Sequence, residues 1–291
     1  MSEHAEQDTM VEELWRTYLT TGKFEKERRQ RHFFRWLPGT PRCKNCYAPF
    51  GGAGGIVVRL LYGKQPSNLN PQLCNICEQF ARKYQGGAEI ELSLLFADVR
   101  GSTSLAEGMS PLDYSKLINR FYNTATHVMV RSDALIDKIV GDQVVALFVP
   151  GFAGPGHARR ALEAAQEILR ATGHARPEGP WIPLGAGVHT GTAFVGSVGT
   201  EGGTSDITVL GDAANTTARL ASTARQGEVL ISDAAFTAAG LDLGQLEKRY
   251  LQLKGKTEPV LVHVVSAVSN PQIEGSTKGS TQSNSRHFRS P

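Results

Sequence analysis

Residues 90–103 read IELSLLFADVRGST, and they carry the strongest structural signal in the chain. The first eight residues form a mostly apolar run, which predicts a buried strand. Asp98 follows directly, and Gly101 and two hydroxyl residues then predict entry into a helix. A carboxylate at such a strand end can hold Mg²⁺ while free N–H groups at the helix start face phosphates. An aspartate in this position is also a common helix cap, so the motif alone is weak.

The elements after residue 88 alternate between strand and helix patterns. Leu117, Phe121 and Val128 have helical spacing within 111–130, and Gly141-Asp142 forms a predicted turn between two strands in 134–148. The other predicted elements are a helix over 157–172, a hairpin over 183–197 turning near Gly191, a strand over 206–210, a helix over 212–224, and strands over 229–232, 250–253 and 260–265. This β-α-β-β-α-β order predicts an α+β sandwich of the ferredoxin-like type.

Three further segments carry polar groups suited to phosphate chemistry. Asp142 ends DKIVGD (137–142), and two carboxylates from adjacent strands could hold the two metal ions of in-line phosphoryl chemistry. Asn215 and Arg219 lie four residues apart in LGDAANTTARL (210–220), so they share one helix face, and the arginine fork suits phosphate oxygens. LKGK (253–256) places two ammonium groups around a glycine. Taken singly, these could equally be a turn aspartate, a solvated stripe and a surface turn.

Together the motifs FADVRGST, DKIVGD, GVHTGTAFVGSVG, TVLGDAANTTARL and LKGK resemble, in order and spacing, the catalytic domain of class III nucleotide cyclases. The resemblance covers about residues 88–266. It implies a homodimer paired head-to-tail, with two active sites at the interface. It also implies that two Mg²⁺ or Mn²⁺ ions per site assist attack of the ribose 3′-oxygen on the α-phosphate.

The resemblance also implies a role for each matched position. Asp98, Asp142 and the carbonyl of Val99 match the metal ligands, and Lys138 and Thr208 match the two purine-reading positions. The remaining matches are Asn215 and Arg219, on the ribose and α-phosphate, and Lys254, on the terminal phosphates, with Lys256 as the alternative alignment. His189 belongs to the predicted hairpin and is expected to be structural. Arg100 has no functional match.

The purine-reading positions favour ATP. Lys138 offers only donors, which suits adenine N1, and a Thr208 oxygen can accept from the adenine N6 amino group. Guanylate cyclases typically carry Glu and a small Cys-like residue there. Threonine in place of the common Asp resembles a subgroup with bicarbonate-responsive members. The sequence therefore predicts an adenylate cyclase producing cyclic AMP and pyrophosphate. A guanylate cyclase and a non-catalytic sensor of nucleotide or metal are the alternatives.

All four cysteines lie in two CxxC pairs, Cys43/Cys46 and Cys74/Cys77, separated by 27 residues. Four thiolates at this spacing predict a structural zinc site, with an iron–sulfur cluster or free, redox-active thiols as alternatives. The glycine-rich run 51–55 is predicted to be a loop of this unit. The expected organisation is a helix over 1–36 and a regulatory or dimerising cysteine unit within 1–86, a linker at 85–87, a catalytic domain over 88–268 and a disordered tail over 269–291.

The composition of the chain limits the classes of protein to which it can belong. The 291 residues are 40% hydrophobic and 20% charged, with a net charge of +3, which fits a globular protein and argues against a nucleic-acid partner. Residues 1–90 carry 13 basic and 9 acidic side chains, against 18 and 19 in the rest. No apolar run reaches the roughly 20 residues of a membrane span, and the N-terminus has no secretory apolar region. A cytoplasmic location is expected.

Overall fold

The structure, a computed structural model, describes residues 3–21, 23–200, 203, 205–242, 246–268 and 272–273. The predicted tail over 269–291 lies outside these residues, except for positions 272–273, which form a short strand paired with residues 241–242. Within the described ranges, no helix combines the length and apolar character that crossing a membrane requires.

The N-terminal part contains four helices in its described residues: α1 (Glu3–Thr20), α2 (Glu25–Trp36), α3 (Gly52–Tyr62) and α4 (Asn75–Lys83). The single helix predicted over 1–36 is therefore two helices. The glycine-rich run is also not a loop, since it forms the first turn of α3. A Cβ on Gly54 would lie 2.0 Å from the carbonyl oxygen of Pro38, and one on Gly55 would lie 2.7 Å from the backbone of Phe50. These glycines let a helix start pack directly against another backbone.

The remaining elements follow the predicted alternation closely. They are β1 (Gly86–Val99), α5 (Ser102–Glu107), α6 (Pro111–Arg131), β2 (Leu135–Val140), β3 (Gln143–Phe148), α7 (Pro150–Ala153), α8 (His157–Ala171), β4 (Leu184–Gly199), β5 (Ser205–Leu210), α9 (Asp212–Thr223), β6 (Glu228–Ser232), α10 (Asp233–Ala239), β7 (Leu241–Asp242), β8 (Lys248–Leu251), β9 (Val260–Ser266) and β10 (Gln272–Ile273). Local signals explain several boundaries. Ser110 caps α6 by accepting from Asp113 N–H, and Ser232 caps α10 by accepting from Ala235 N–H.

The main sheet has the order β2-β3-β1-β4-β6-β9-β8, with β5 paired to β4. Neighbouring strands among the first four are antiparallel, and these strands form, with α6 and α8, the βαββαβ unit of the ferredoxin-like fold. The α+β prediction is thus confirmed.

Strand β4 corrects one local prediction. Residues 184–199 form one continuous strand, in which Gly191 pairs with Leu92 of β1, so no hairpin turn occurs there. The glycines of β4 instead serve close packing, because a Cβ on Gly187 would lie 2.5 Å from the backbone nitrogen of Ala221 in α9. Gly86 and Gly87, predicted as a linker, are the first residues of β1.

The two faces of β1 are covered by different helices. Leu95, Ala97 and Val99 belong to a core built with α6 and α8. Ile90, Leu92, Leu94 and Phe96 face the opposite core, which contains Val11, Trp15, Tyr18 and Leu19 of α1 together with residues of α9. Strand side chains alternate between faces, so this division follows directly from the sequence order. Helix α1 thus packs directly on the sheet and is not a separate appendage.

Candidate active site and cysteine cluster

The two predicted metal carboxylates meet where β1 ends beside the β2–β3 turn. Asp98 pairs with Gln143 across the sheet, and Val99 N–H donates to the Asp142 carbonyl at 3.0 Å. Burial raises the pKa of Asp98, and the nearby Asp142 charge raises it further, against the lowering effect of Arg100. Two carboxylates that repel each other in this way form a site that favours a cation.

Arg100, which had no predicted role, is the immediate partner of Asp98. Its guanidinium pairs with the Asp98 carboxylate and donates at 2.7 Å to the carbonyl of Ser222, at the end of α9. The side chain is largely buried, so it fixes the carboxylate relative to the helix. The sequence indicates this contact only by placing a cationic residue two positions after the aspartate.

The turn that carries Asp142 is held by an aromatic hydroxyl. Tyr122 of α6 donates to the Gly141 carbonyl at 2.6 Å. Gly141 has φ +64°, a conformation that favours glycine. Burial, followed by the Asp142 charge, raises the pKa of Tyr114 and Tyr122, which places both phenols near this carboxylate.

The carboxylates fit a divalent ion, but one chain supplies few ligands. Among the described residues, the only group of three or more His, Cys, Asp or Glu ligand atoms is made by the cysteines. Asp98 and Asp142 would therefore need the Val99 carbonyl, water or substrate phosphates to complete a shell. Sharing ligands with phosphates is the usual arrangement for Mg²⁺.

Helix α9 positions the second group of predicted residues. Gly211, with φ +124°, precedes the helix, and Asn215 is exposed in its first turns. The Arg219 guanidinium lies against Gly255, since a Cβ there would be 3.3 Å from Nη2. The structure thus brings Arg219 to the LKGK turn.

The two lysines of this turn have different surroundings. Lys256 pairs with Asp212 at the start of α9, whereas Lys254 is exposed. His189 is mostly buried, and its Nδ1 lies 2.8 Å from the Ser232 hydroxyl. Burial and then the Lys256 charge lower the pKa of His189 to about 4, so it is neutral at pH 7. This environment agrees with the structural role expected for it.

The carboxylates and Asn215 lie towards opposite ends of α9. Arg100 joins Asp98 to the carbonyls of Ser222 and Ala224 at the C-terminal end, whereas Asn215 lies in the first turns. At 1.5 Å per residue, the seven positions from Asn215 to Ser222 span about 10 Å. One chain therefore presents these groups at separate places.

The two predicted base-reading residues flank a buried aspartate. Lys138 is exposed on β2, and Thr208 is buried on β5. Asp137 lies at an irregularity in the β2–β3 register and is also buried. Burial raises the pKa of Asp137, whereas the adjacent Thr208 hydroxyl, Lys138 and Lys44 act in the opposite direction. Both predicted base contacts therefore lie near Asp137, one on β2 and the other on β5.

The four cysteines form a compact cluster. Their Sγ atoms all lie within 4.8 Å of one another, and Cys46 and Cys74 are separated by 3.7 Å. Tetrahedral zinc with Zn–S bonds of about 2.3 Å requires sulfurs about 3.8 Å apart. The spacing therefore suits a single metal ion.

The surroundings of the sulfurs favour the thiolate form of some cysteines and oppose that of others. Cys74 N–H donates to Cys43 Sγ at 3.3 Å, and Cys77 N–H donates to Cys74 Sγ at 3.4 Å. Hydrogen bonds from the other three thiols lower the pKa of Cys74, and the Lys64 ammonium acts in the same direction. Burial raises the pKa of Cys43, so a bound cation would be needed to hold all four as thiolates.

The profile of the adenylate and guanylate cyclase catalytic domain matches residues 87–266. The chain belongs to this family. The match begins at the strand that ends in Asp98 and closes with β9, so it contains both groups of predicted active-site residues. The cysteine cluster lies outside it.

Individual relatives carry both substrate names. An adenylate cyclase of Anabaena cylindrica is 28% identical over 186 residues, which make up 60% of this chain and 37% of the relative. Among solved structures, the guanylyl cyclase Cya2 is 28% identical with a TM-score of 0.57, covering 62% of this chain and 94% of that one. The adenylyl cyclase CyaB from P. aeruginosa is 26% identical with a TM-score of 0.53, covering 61% and 95%. The chain spans only about two fifths of the curated relatives' length.

Proposed function

We propose that this protein is an adenylate cyclase that converts ATP to 3′,5′-cyclic AMP and pyrophosphate. The observation that carries the proposal is a pair of residues within a family cyclase domain: an exposed Lys138 and a buried Thr208, both near Asp137. The lysine would donate to adenine N1. The Thr208 hydroxyl oxygen is buried and has no hydrogen-bond partner among the described residues, so it would be free to accept from adenine N6.

The chain's own residues would perform distinct tasks in the reaction. Asn215 would orient the ribose, and the Arg219 fork would bind the α-phosphate as negative charge develops there. Lys254 is free of the ion pair that occupies Lys256, so it is the better candidate for the departing pyrophosphate. Arg100 would hold Asp98 in place.

Asp98, Asp142 and the Val99 carbonyl would hold the divalent ions. Two such cations, Mg²⁺ or Mn²⁺, would supply the charge that lowers the pKa of the 3′-hydroxyl and neutralises the leaving phosphates. We further propose that the cysteine cluster holds one Zn²⁺, because its sulfur spacing fits a tetrahedral ion better than a multi-iron cluster whose cysteines bind different irons.

The active form would be a homodimer. Because Asp98 and Asn215 lie towards opposite ends of α9, a complete site would combine the carboxylates of one chain with Asn215 and Arg219 of another. Mixing inactive Asp98→Asn and Asn215→Ala chains should then restore activity. Random pairing leaves one intact site in half of the dimers, or about a quarter of wild-type activity. Failure of such mixtures to regain activity would contradict the shared site.

The deciding assay uses purified full-length protein with Mn²⁺ and either ATP or GTP, with products separated by chromatography. We expect cyclic AMP, with kcat/KM for ATP at least about tenfold above that for GTP, a difference of roughly 1.4 kcal/mol. A preference for GTP would assign the protein to the second candidate, a guanylate cyclase. The similarity to the guanylyl cyclase Cya2 is the observation that favours this candidate. Absence of both products would leave the non-catalytic sensor.

A further inference from the structure

One side chain from the cysteine-containing segment is buried against the catalytic domain. Lys44 lies between Cys43 and Cys46, yet it is only 6% exposed. Its Nζ donates to the Asp137 carbonyl at 3.0 Å and pairs with the Asp206 carboxylate. A buried ammonium requires such partners, because an uncompensated charge away from water is costly. These two partners therefore fix the position of the Lys44 ammonium group.

Both partners of Lys44 adjoin the proposed base-reading residues. Asp137 precedes Lys138 in β2, and Asp206 lies two positions before Thr208 in β5, on the same face of the strand. The β2–β3 register shifts at Asp137. Such an irregularity interrupts the ladder, and Lys44 supplies a donor to the carbonyl there. One ammonium group thus connects the two strands that carry the base contacts.

No backbone ladder joins β2 to β5 within the described part of the chain, since β2 pairs with β3 and β5 with β4. The N-terminal unit provides the bridge. Besides Lys44, the Asn70 side chain donates to the Ser205 carbonyl at 3.2 Å. The Lys44 carbonyl also accepts from Ile136 N–H at 3.4 Å. The separation of Lys138 from Thr208 therefore depends on how the cysteine unit is folded.

We propose that Lys44 is a positioning residue for base recognition, through which metal bound at the four cysteines controls nucleotide affinity. The inference rests on the proposed function, because it assumes that Lys138 and Thr208 contact the purine. A metal bound by Cys43 and Cys46 would fix the backbone of Lys44 from both sides. Release of the metal would free that backbone and loosen the link between β2 and β5.

The first test compares Lys44→Met with Lys83→Met in the zinc-loaded full chain. Methionine keeps the apolar stem and removes the ammonium, and Lys83 is an exposed lysine of the same N-terminal region. We expect Lys44→Met to raise KM for ATP about tenfold, the scale of one lost hydrogen bond to a charged group, with kcat within about threefold. Lys83→Met should match wild type. A Lys44→Met enzyme with wild-type KM, or with a loss only in kcat, would overturn the proposal.

Hydrogen exchange provides a readout that does not depend on turnover. In Lys44→Met, amides of 135–140 and 205–210 should exchange faster, while those of β6 and β9 should keep their wild-type rates. Fluorescent ATP analogues should bind about tenfold more weakly, in line with KM. Unchanged exchange in both strands would contradict the positioning role even if KM rose.

Asp206→Asn covers the case in which Lys44→Met does not fold. It removes the carboxylate charge at nearly constant shape and should raise KM in the same way. In the double variant, KM should be no higher than in the worse single variant, because both remove one interaction. Fully additive effects would show that Lys44 does not act through β5.

Extraction of the zinc tests whether the metal acts on nucleotide affinity through Lys44. After zinc is extracted and Mg²⁺ restored, wild type should show the raised KM, and Lys44→Met should show no further rise. Equal increases in both proteins would refute coupling through Lys44. If wild type forms no cyclic nucleotide, the proposed function fails. If wild type is active and Lys44→Met is kinetically and structurally unchanged, only the present inference fails.

Discussion

Replacing Arg31 with methionine should destabilise the whole protein. Arg31 is 3% exposed on α2, and its guanidinium donates to the carbonyls of Asn45 and Ala134 and to the Tyr47 hydroxyl. It also stacks over the Tyr47 and Phe152 rings, 3.9 and 4.6 Å from their centroids. The side chain therefore joins α2, the cysteine unit and the segment that enters β2.

The magnitude follows from the acceptors that would be left behind. Methionine fills most of the volume but leaves the buried carbonyls of Asn45 and Ala134 without a hydrogen-bond donor. The loss of each hydrogen bond costs about 1–3 kcal/mol. Lost cation–π contacts add roughly 1 kcal/mol. Arg31 Nε has no partner among the described residues, so its removal adds nothing to the cost. The expected loss is about 4 kcal/mol.

Urea unfolding followed by circular dichroism, at pH 7.5 with zinc present, measures this loss. Arg29→Met is the matched control, since Arg29 lies on the same helix with its side chain 83% exposed and paired with the exposed Glu25. That change should cost less than about 0.5 kcal/mol. A loss below about 1 kcal/mol for Arg31→Met, with an unchanged denaturant slope, would refute the reasoning that this buried fork joins the N-terminal unit to the sheet.

Three other changes test separate parts of the molecule. Asp142→Asn should reduce cyclase activity at least about 100-fold with the circular dichroism spectrum retained, because it removes a metal-holding charge; activity within tenfold of wild type would contradict that role. His189 has a pKa of about 4 when folded and an ordinary value of 6.5, so wild-type stability should fall by about 3 kcal/mol as pH drops from 6.5 to 4. His189→Gln should flatten this dependence in urea titrations at several pH values, and an identical slope would sink the assignment. Cys74→Ser should lose the bound zinc by elemental analysis and unfold at lower urea, whereas full zinc content would show that Cys74 is not a ligand.

Most of the catalytic fold could be predicted because local signals agreed with one another. The apolar run 90–97, the turn at Gly141-Asp142 and the helix over 212–224 all appear where their patterns predicted them. The misjudged glycines share one cause. Glycine marks turns in a sequence, but Gly54 lies in a helix and Gly191 in a strand. At Gly54 and Gly187, absence of a side chain admits a neighbouring backbone, which only the packed structure reveals.

The proposed site residues could be named from their motifs, but several of their partners could not. Arg100 was visible in the FADVRGST motif without a function, and its contact with Asp98 became evident only when α9 was placed beside it. Lys44 is a harder case. A lysine between two cysteines predicts solvent exposure, and nothing nearby in sequence indicates Asp137 or Asp206, which lie 93 and 162 residues away.

Residue types and their order were sufficient for the fold class, the family resemblance, the two carboxylates and the four thiols. Each of these depends on short-range spacing, and strand or helix periodicity converts spacing into position. Tertiary packing decided that α1 covers one face of the sheet, that Asp98 and Asn215 lie towards opposite ends of α9, and that the cysteine unit bridges β2 and β5. These relations join residues far apart in the chain. They arise because buried apolar faces and buried charges must find partners wherever the folded chain supplies them.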